Sequence, residues 1–182
     1  MSAETLEWLA DNSLIGFTEK RGNAWWDARG GVTTDGVPNH FEGPVPIERV
    51  TQLLDFELVK ADLTATYLDE NGVTNVQVSG RQAIVRKDTA AVFGVFSDGY
   101  KIHAPHEWCV QNLDLILDGG LQVGSAVSLR GGARVAVQAE LSETREAAEG
   151  VLHRPFLTAA TSHDGSLATT YLTGTTVVVC DY

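Results

Sequence analysis

No stretch of this 182-residue chain approaches the roughly 18 consecutive apolar residues that a membrane-spanning helix needs. Its first residues hold Glu4, Glu7, Asp11 and Glu19 before a single Lys20, whereas a secretory or organellar leader is basic. The expectation is a cytoplasmic protein that does not enter membranes. Cysteine is scarce: Cys109 and Cys180 both lie in apolar surroundings, as small buried thiols of a reduced compartment do. A catalytic thiol is the sharper alternative. Also lacking are a Gly-x-x-x-x-Gly-Lys phosphate loop, a dinucleotide-binding glycine pattern and a Cys-x-x-Cys pair. ATP-driven, dinucleotide-linked and structural-zinc functions thereby lose their usual signatures, and neither a cofactor nor a bound metal is expected. Basic residues are outnumbered, 13 Lys and Arg against 24 Asp and Glu, for a net charge of −11. That balance argues against a surface that coats nucleic acid broadly.

What is present is the composition of a globular domain, 43% hydrophobic and 20% charged. A chain of this length buries about 70% of its unfolded surface and needs no disulfide or metal to hold a core. The acidity is uneven. Residues 81–134 carry Arg81, Arg86, Lys87, Lys101, Arg130 and Arg134 with little to offset them, while the flanking segments are strongly acidic. A solvated strand surface is the plain reading of that segment, and a local anion-facing patch is the functional one.

The pattern along the chain is mainly of period two. Ser2–Ala10 suits a short helix, and residues 21–44 read as a glycine-rich loop or arm carrying Trp25 and Trp26. Pro46 then opens a helix with Ile47, Val50, Leu53 and Leu54 on one face. Strands are expected over 56–68, 73–78, 82–86 and 91–96, with Asn71-Gly72 as a hairpin turn. A second helix is expected from Pro105 to Leu117, with Cys109, Leu113, Ile116 and Leu117 inward and Gly119-Gly120 ending it. Strands over 121–129, 134–141, 151–161 and 168–180 follow, the first two joined by a tight turn at Arg130-Gly131-Gly132, with an acidic loop over 142–150. The sum is an α+β fold: a mostly antiparallel sheet of seven or eight strands with two main helices. Residues 1–44 would form an N-terminal segment and arm packed on a single domain of residues 45–182.

Three constellations carry chemistry. In the first, Trp25, Trp26 and Tyr100 would stack on bases while Arg21, Arg86, Lys87, Lys101, Arg130 and Arg134 meet phosphates. Proteins of single-stranded nucleic acid combine these two residue types. Gly131 and Gly132 would bring backbone N–H groups toward an anion. The bland counterpart is a hairpin turn whose arginines pair with nearby carboxylates, and a tryptophan plugging the core edge. The second, His103-Ala-Pro-His106-Glu107, fails as a zinc-protease motif because its histidines are three apart and Pro105 interrupts them. It gains meaning only if His163 and Asp164 are folded beside it. The third, Thr161-Ser162-His163-Asp164-Gly165-Ser166, is no triad, since neighbouring strand side chains point to opposite faces. It reads as a turn in which Asp164 and Gly165 set the backbone and Ser162 or Ser166 bonds to it.

Several segments carry a resemblance. Leu14-Ile-Gly-Phe-Thr-Glu-Lys-Arg-Gly-Asn-Ala-Trp25, Gly94-Val-Phe-Ser-Asp-Gly-Tyr100, Gly124-Ser-Ala-Val-Ser-Leu-Arg-Gly-Gly132, Phe156-Leu-Thr-Ala-Ala-Thr-Ser-His-Asp-Gly-Ser166 and Val178-Val-Cys-Asp181 resemble, in order, the phage- and plasmid-borne family called domain of unknown function 932. The family pattern has Trp-His where this chain has Trp25-Trp26, and a Gly-Ser-Ala-Gly-like stretch where it has Gly124-Ser125-Ala126-Val127. The pattern also continues past the Val-Cys pair into a long helix-rich remainder, so the chain resembles a short or truncated member. The resemblance implies work in the cytoplasm of a bacterial host, on mobile-element DNA. The leading expectation is therefore a bacteriophage or mobile-element protein of recombination and DNA metabolism that binds single-stranded nucleic acid, anneals it, and assembles into homo-oligomers. One alternative is a hydrolytic or metal-assisted enzyme built from loops 100–107 and 162–166, with His103, His106, Glu107, Ser162, His163 and Asp164 as its polar groups. The other is a protein that binds a host factor through its acidic surface. Catalytic residues are not assignable from the sequence.

Overall fold

The computed structural model describes residues 11–17, 39–70, 72–140, 145–146 and 152–177. Among these the chain forms two sheets, of seven and three strands. The strands are β1 (Ser13–Phe17), β2 (His40–Phe41), β3 (Leu58–Asp69), β4 (Gly72–Arg86), β5 (Ala91–Ser97), β6 (Val123–Leu129), β7 (Arg134–Glu140), β8 (Arg145–Glu146), β9 (Leu152–Ser162) and β10 (Thr170–Val177). The fold is α+β and mostly antiparallel, as the alternation predicts; only β1 and β2 pair in parallel.

The larger sheet runs in the order β10-β9-β7-β6-β1-β2, with β8 paired to β9. In β6 and β7 every second side chain is buried, including Ala126, Val135, Val137 and Ala139. Helix α1 (Ile47–Leu54) follows Pro46 and buries Val50 and Leu54. A π-helical turn (Glu107–Gln111) leads into α2 (Asn112–Ile116). From this second segment Cys109, Val110 and Leu113 join Ile15, Val50, Leu54, Val123, Val135, Val137, Ala139 and Ala159 in one core.

Several expected bounds change. The strands expected over 73–78 and 82–86 are one strand, β4, irregular where Asp62 and Leu63 of β3 pair with Gln82 and Val78. Ile116, expected inward, is 53% exposed. Its phase is shifted because a π turn inserts about one residue into the helical repeat. Left-handed Asp118 and Gly119 (φ 53° and 72°) end the helix, as the glycine pair predicts. Ser13–Phe17, with no strand pattern of its own, is a sheet strand beside β6. The expected helix over 2–10 and most of the 21–44 arm lie outside the described residues, as does most of the 142–150 loop. The smaller sheet, in the order β3-β4-β5, extends into a two-stranded hairpin beyond Ser97, since β5 pairs only with Arg81–Arg86.

Candidate functional site

The β6–β7 turn sits where the two sheets meet. Arg130, Gly131 and Gly132 all take positive φ (54°, 63° and 97°). A Cβ on Gly132 would lie 2.7 Å from the Phe56 ring, so this position requires glycine on both counts. The turn's N–H groups are used internally: Gly131 donates to the Asp11 carbonyl at 2.7 Å, Gly132 to Leu129 and Ala133 to Arg130. What the turn can offer an anion is therefore its arginine side chains and not its backbone.

Those side chains converge with others. Arg86, at the end of β4, donates to the Gly131 carbonyl at 2.7 Å, grips the Asp88 carboxylate with two nitrogens, and lies 4.3 Å over the Phe56 ring. Asp88 is held below the usual carboxylate range, first by the Arg86 hydrogen bond. The β7–β9 register sets Arg134 opposite Ser162, so its Nε reaches Asp164 at 3.2 Å. Arg130 reaches the same oxygen at 3.6 Å. Burial works against ionisation of Asp164, but hydrogen bonds from the Ser166 hydroxyl and amide and from Arg134 outweigh it and hold its pKa at about 2. The Asp164 side chain also caps the turn by accepting from the Ser166 N–H at 2.9 Å, and Gly165 takes φ 76°. The Ser162 hydroxyl donates to the Leu167 carbonyl and accepts from the Leu167 N–H, both at 2.9 Å. The turn reading of Ser162–Ser166 is thus what the structure holds.

Gly165 leads directly to the aromatic part, because a Cβ there would lie 3.3 Å from Phe96. Tyr100 stacks on Phe96 with ring centroids 4.3 Å apart. Arg86, Arg130, Gly131, Gly132, Arg134, Asp164 and Tyr100 consequently form one continuous rim, assembled from four separate segments. Lys87 joins its edge, paired with Glu57 at 2.7 Å, and Lys101 is exposed. Arg21, Trp25 and Trp26 lie outside the described residues. Phe96 and Asp88 are rim residues that sequence reasoning missed. Asp88 was findable two positions after Arg86; Phe96 read only as a strand residue.

Beneath the rim lies a more enclosed polar group. His103 Nδ1 is 3.1 Å from the Thr169 hydroxyl, which lies 2.8 Å from that of Thr161. His163 is fully buried, its ring stacked with Phe93 at 6.3 Å, and neither ring nitrogen has a hydrogen-bond partner. Burial foremost, and then His103, push its pKa down to about 4, so it is a neutral imidazole at neutral pH. The fold therefore does bring His103 beside the 162–166 turn, through Thr161 and Thr169. His106 is half-buried and Glu107 exposed, and neither side chain bonds another described residue. No group of three or more His, Cys, Asp or Glu among the described residues could hold a metal ion. Cys109 is a buried thiol, pushed by burial up to about 12, as the structural reading of its surroundings predicts.

Fold and site together define a two-sheet antiparallel α+β protein whose sheets meet at an arginine and aromatic rim around a polar turn. Residues 92–181 match the profile of a family described as Domain of unknown function (DUF932), and through that segment the chain belongs to it. No curated protein and no solved structure matches the chain. Among the described residues no helix is long and apolar enough to cross a membrane.

Proposed function

We propose that the chain binds single-stranded nucleic acid along this rim. The observation that supports the reading is the convergence of Arg86, from the end of β4, with Arg130 and Arg134 of the β6–β7 turn beside the Phe96–Tyr100 stack. Phosphates and bases are met by that pairing of guanidinium and aromatic groups. The resemblance to phage- and plasmid-borne proteins supports a place in mobile-element DNA metabolism, annealing included, in a bacterial cytoplasm. The electrostatics make the site conditional. Asp164 already pairs with one nitrogen of Arg130 and one of Arg134, so a phosphate binds in competition with a carboxylate.

Titration of a fluorescent single-stranded oligonucleotide at about 50 and 200 mM salt tests this, with binding expected to weaken steeply as salt rises. Arg130→Ala should lower the salt slope by roughly one phosphate contact. Asp164→Asn, which keeps the capping oxygen but removes the competing charge, should tighten binding. No binding at the lower salt, or weaker binding by Asp164→Asn, sinks the proposal. The enzyme reading draws support from the contact between His103 and the 161–169 segment. It predicts that Zn²⁺ or Mn²⁺ raises the melting temperature and that His163→Ala abolishes the rise; an unchanged melting temperature removes it. Capture of one host protein with no nucleic acid attached would favour the host-factor reading instead.

A further inference from the structure

The hairpin of β3 and β4 beyond Ser97 has one face that nothing described covers. Side chains alternate along β3, and cross-strand partners share a face. The β4 irregularity leaves the parity of β3 unbroken. One face therefore carries Leu63, Ala65 and Tyr67 with their partners Val78, Val76 and Thr74. Tyr67 is 52% and Val76 47% exposed. The opposite face is polar over the same length, with Thr64 and Thr66 opposite Gln77 and Asn75, and a Thr66–Asn75 hydrogen bond. Only its tip pair, Leu68 and Val73, is apolar. The polar face is the one suited to water, so the apolar face is built to be covered.

Charge identifies the cover. Between Asp62 and Asp69 on β3, and from Gly72 to Gly80 on β4, the hairpin has no charged residue. Two charges bound the apolar face. Asp69 is at the tip, in register line with Tyr67, Ala65 and Leu63. Arg81 is at the base, opposite Ser97 and in line with Ala83 and Val95. Arg81 is exposed, and its side chain has no hydrogen bond or ion pair with another described residue. About six residues separate the two levels, roughly 20 Å of strand. The face is thus self-complementary: turned end to end and laid on a second copy, it sets each Asp69 over the other copy's Arg81. Sheets packed this way lie about 10 Å apart, and a two-fold axis forms both ion pairs at once. On a chain of net charge −11, an uncharged strip with opposite charges at its ends is also where like-charged copies can approach. We propose that the β3–β4 hairpin is a dimerisation arm, packed face to face and antiparallel on the same arm of a second copy. The proposal does not depend on nucleic-acid binding.

Sedimentation equilibrium of the full chain, up to about 100 μM, tests it. A concentration-dependent dimer is expected. Arg81→Glu and Asp69→Arg should each weaken it about tenfold or more, because two attractive pairs become two repulsive ones. Mixing the two variants should restore association, since each then carries the charges the other lacks, and the double variant should pair with itself. Hydrogen exchange of the unaltered chain needs no variant and covers the case in which a swapped chain fails to fold. Amides of 63–69 and 72–78 should slow as concentration rises. A wild-type chain that stays monomeric, a dimer indifferent to both swaps, or protection confined to other strands would each overturn the proposal.

Discussion

The β6–β7 pair and the β3–β4 hairpin are written in the same alternating code and meet different fates. In β6 and β7 the inward side chains, Ala126, Val135, Val137 and Ala139, are at most 1% exposed, because α1 and the 105–117 segment cover them. In the hairpin, Leu63, Ala65, Tyr67, Val76 and Val78 keep the same period, yet Tyr67 and Val76 stand about half in solvent. A period of two states which face avoids water. It does not state what covers that face, and within one chain the answer is a helix in one place and no described residue in the other.

The comparison is broken most strongly in the core. Leu113→Ala removes a fully buried side chain from the cluster that includes Val137 and Ala159. It should cost about 2–5 kcal/mol in denaturant unfolding, the range for a leucine truncated in a close-packed interior. A loss under about 1 kcal/mol would mean that the helical segment is loosely seated and that the two regions differ less than their burial indicates.

The next effect lies at the junction between the sheets, where His163 stacks on Phe93 of β5 and its backbone N–H donates to the Ala133 carbonyl at 2.8 Å. Its folded pKa is about 4 against an ordinary 6.5. The unfolded chain therefore binds the extra proton between these values, and stability should fall as pH drops from about 6.5 to 4, by a few kcal/mol at most. Asp164, depressed to about 2 from 3.8, adds a separate loss below about pH 3.8. His163→Phe keeps a flat ring in a site that satisfies neither nitrogen. It should unfold no more easily than the parent at pH 7 and lose the step between pH 6.5 and 4. Thermal melts across that range decide the matter, and an unchanged step would assign it to other groups.

Much of this architecture is legible in the sequence, and what is not has a physical reason. Pro46 and the spacing of Val50 and Leu54 mark α1, and the glycines after Arg130 mark the β6–β7 turn, because each signal is local. Ser13–Phe17 carries no strand signature; its place is set by pairing with Ser125–Ser128, over a hundred residues away. The π turn at Glu107–Gln111 leaves no mark in residue type, so Ile116 reads as inward when it is not. The rim is the same case at a larger scale. Its arginines were visible as types, but their common partner Asp164 and the neighbouring Phe96–Tyr100 stack exist only once β7 has paired with β9.

The smallest expected effect sharpens the comparison most, because it applies one substitution to both regions. Valine and threonine are nearly the same size, so the exchange mainly trades a methyl group for a hydroxyl. Val137→Thr would bury that hydroxyl in the core, where Val137 is 0% exposed, at about 1–3 kcal/mol. Val76→Thr places it on a surface 47% exposed and opposite Ala65, where threonine suits a strand as well as valine does. In solution too dilute for two arms to pair, the change should fall within about 0.5 kcal/mol. At concentrations where two arms pack together the same hydroxyl is covered, and the cost should reappear as weaker association. Equal, small effects at both concentrations would leave the arm's apolar face a solvent surface; a cost that grows with concentration makes it a core shared between two chains.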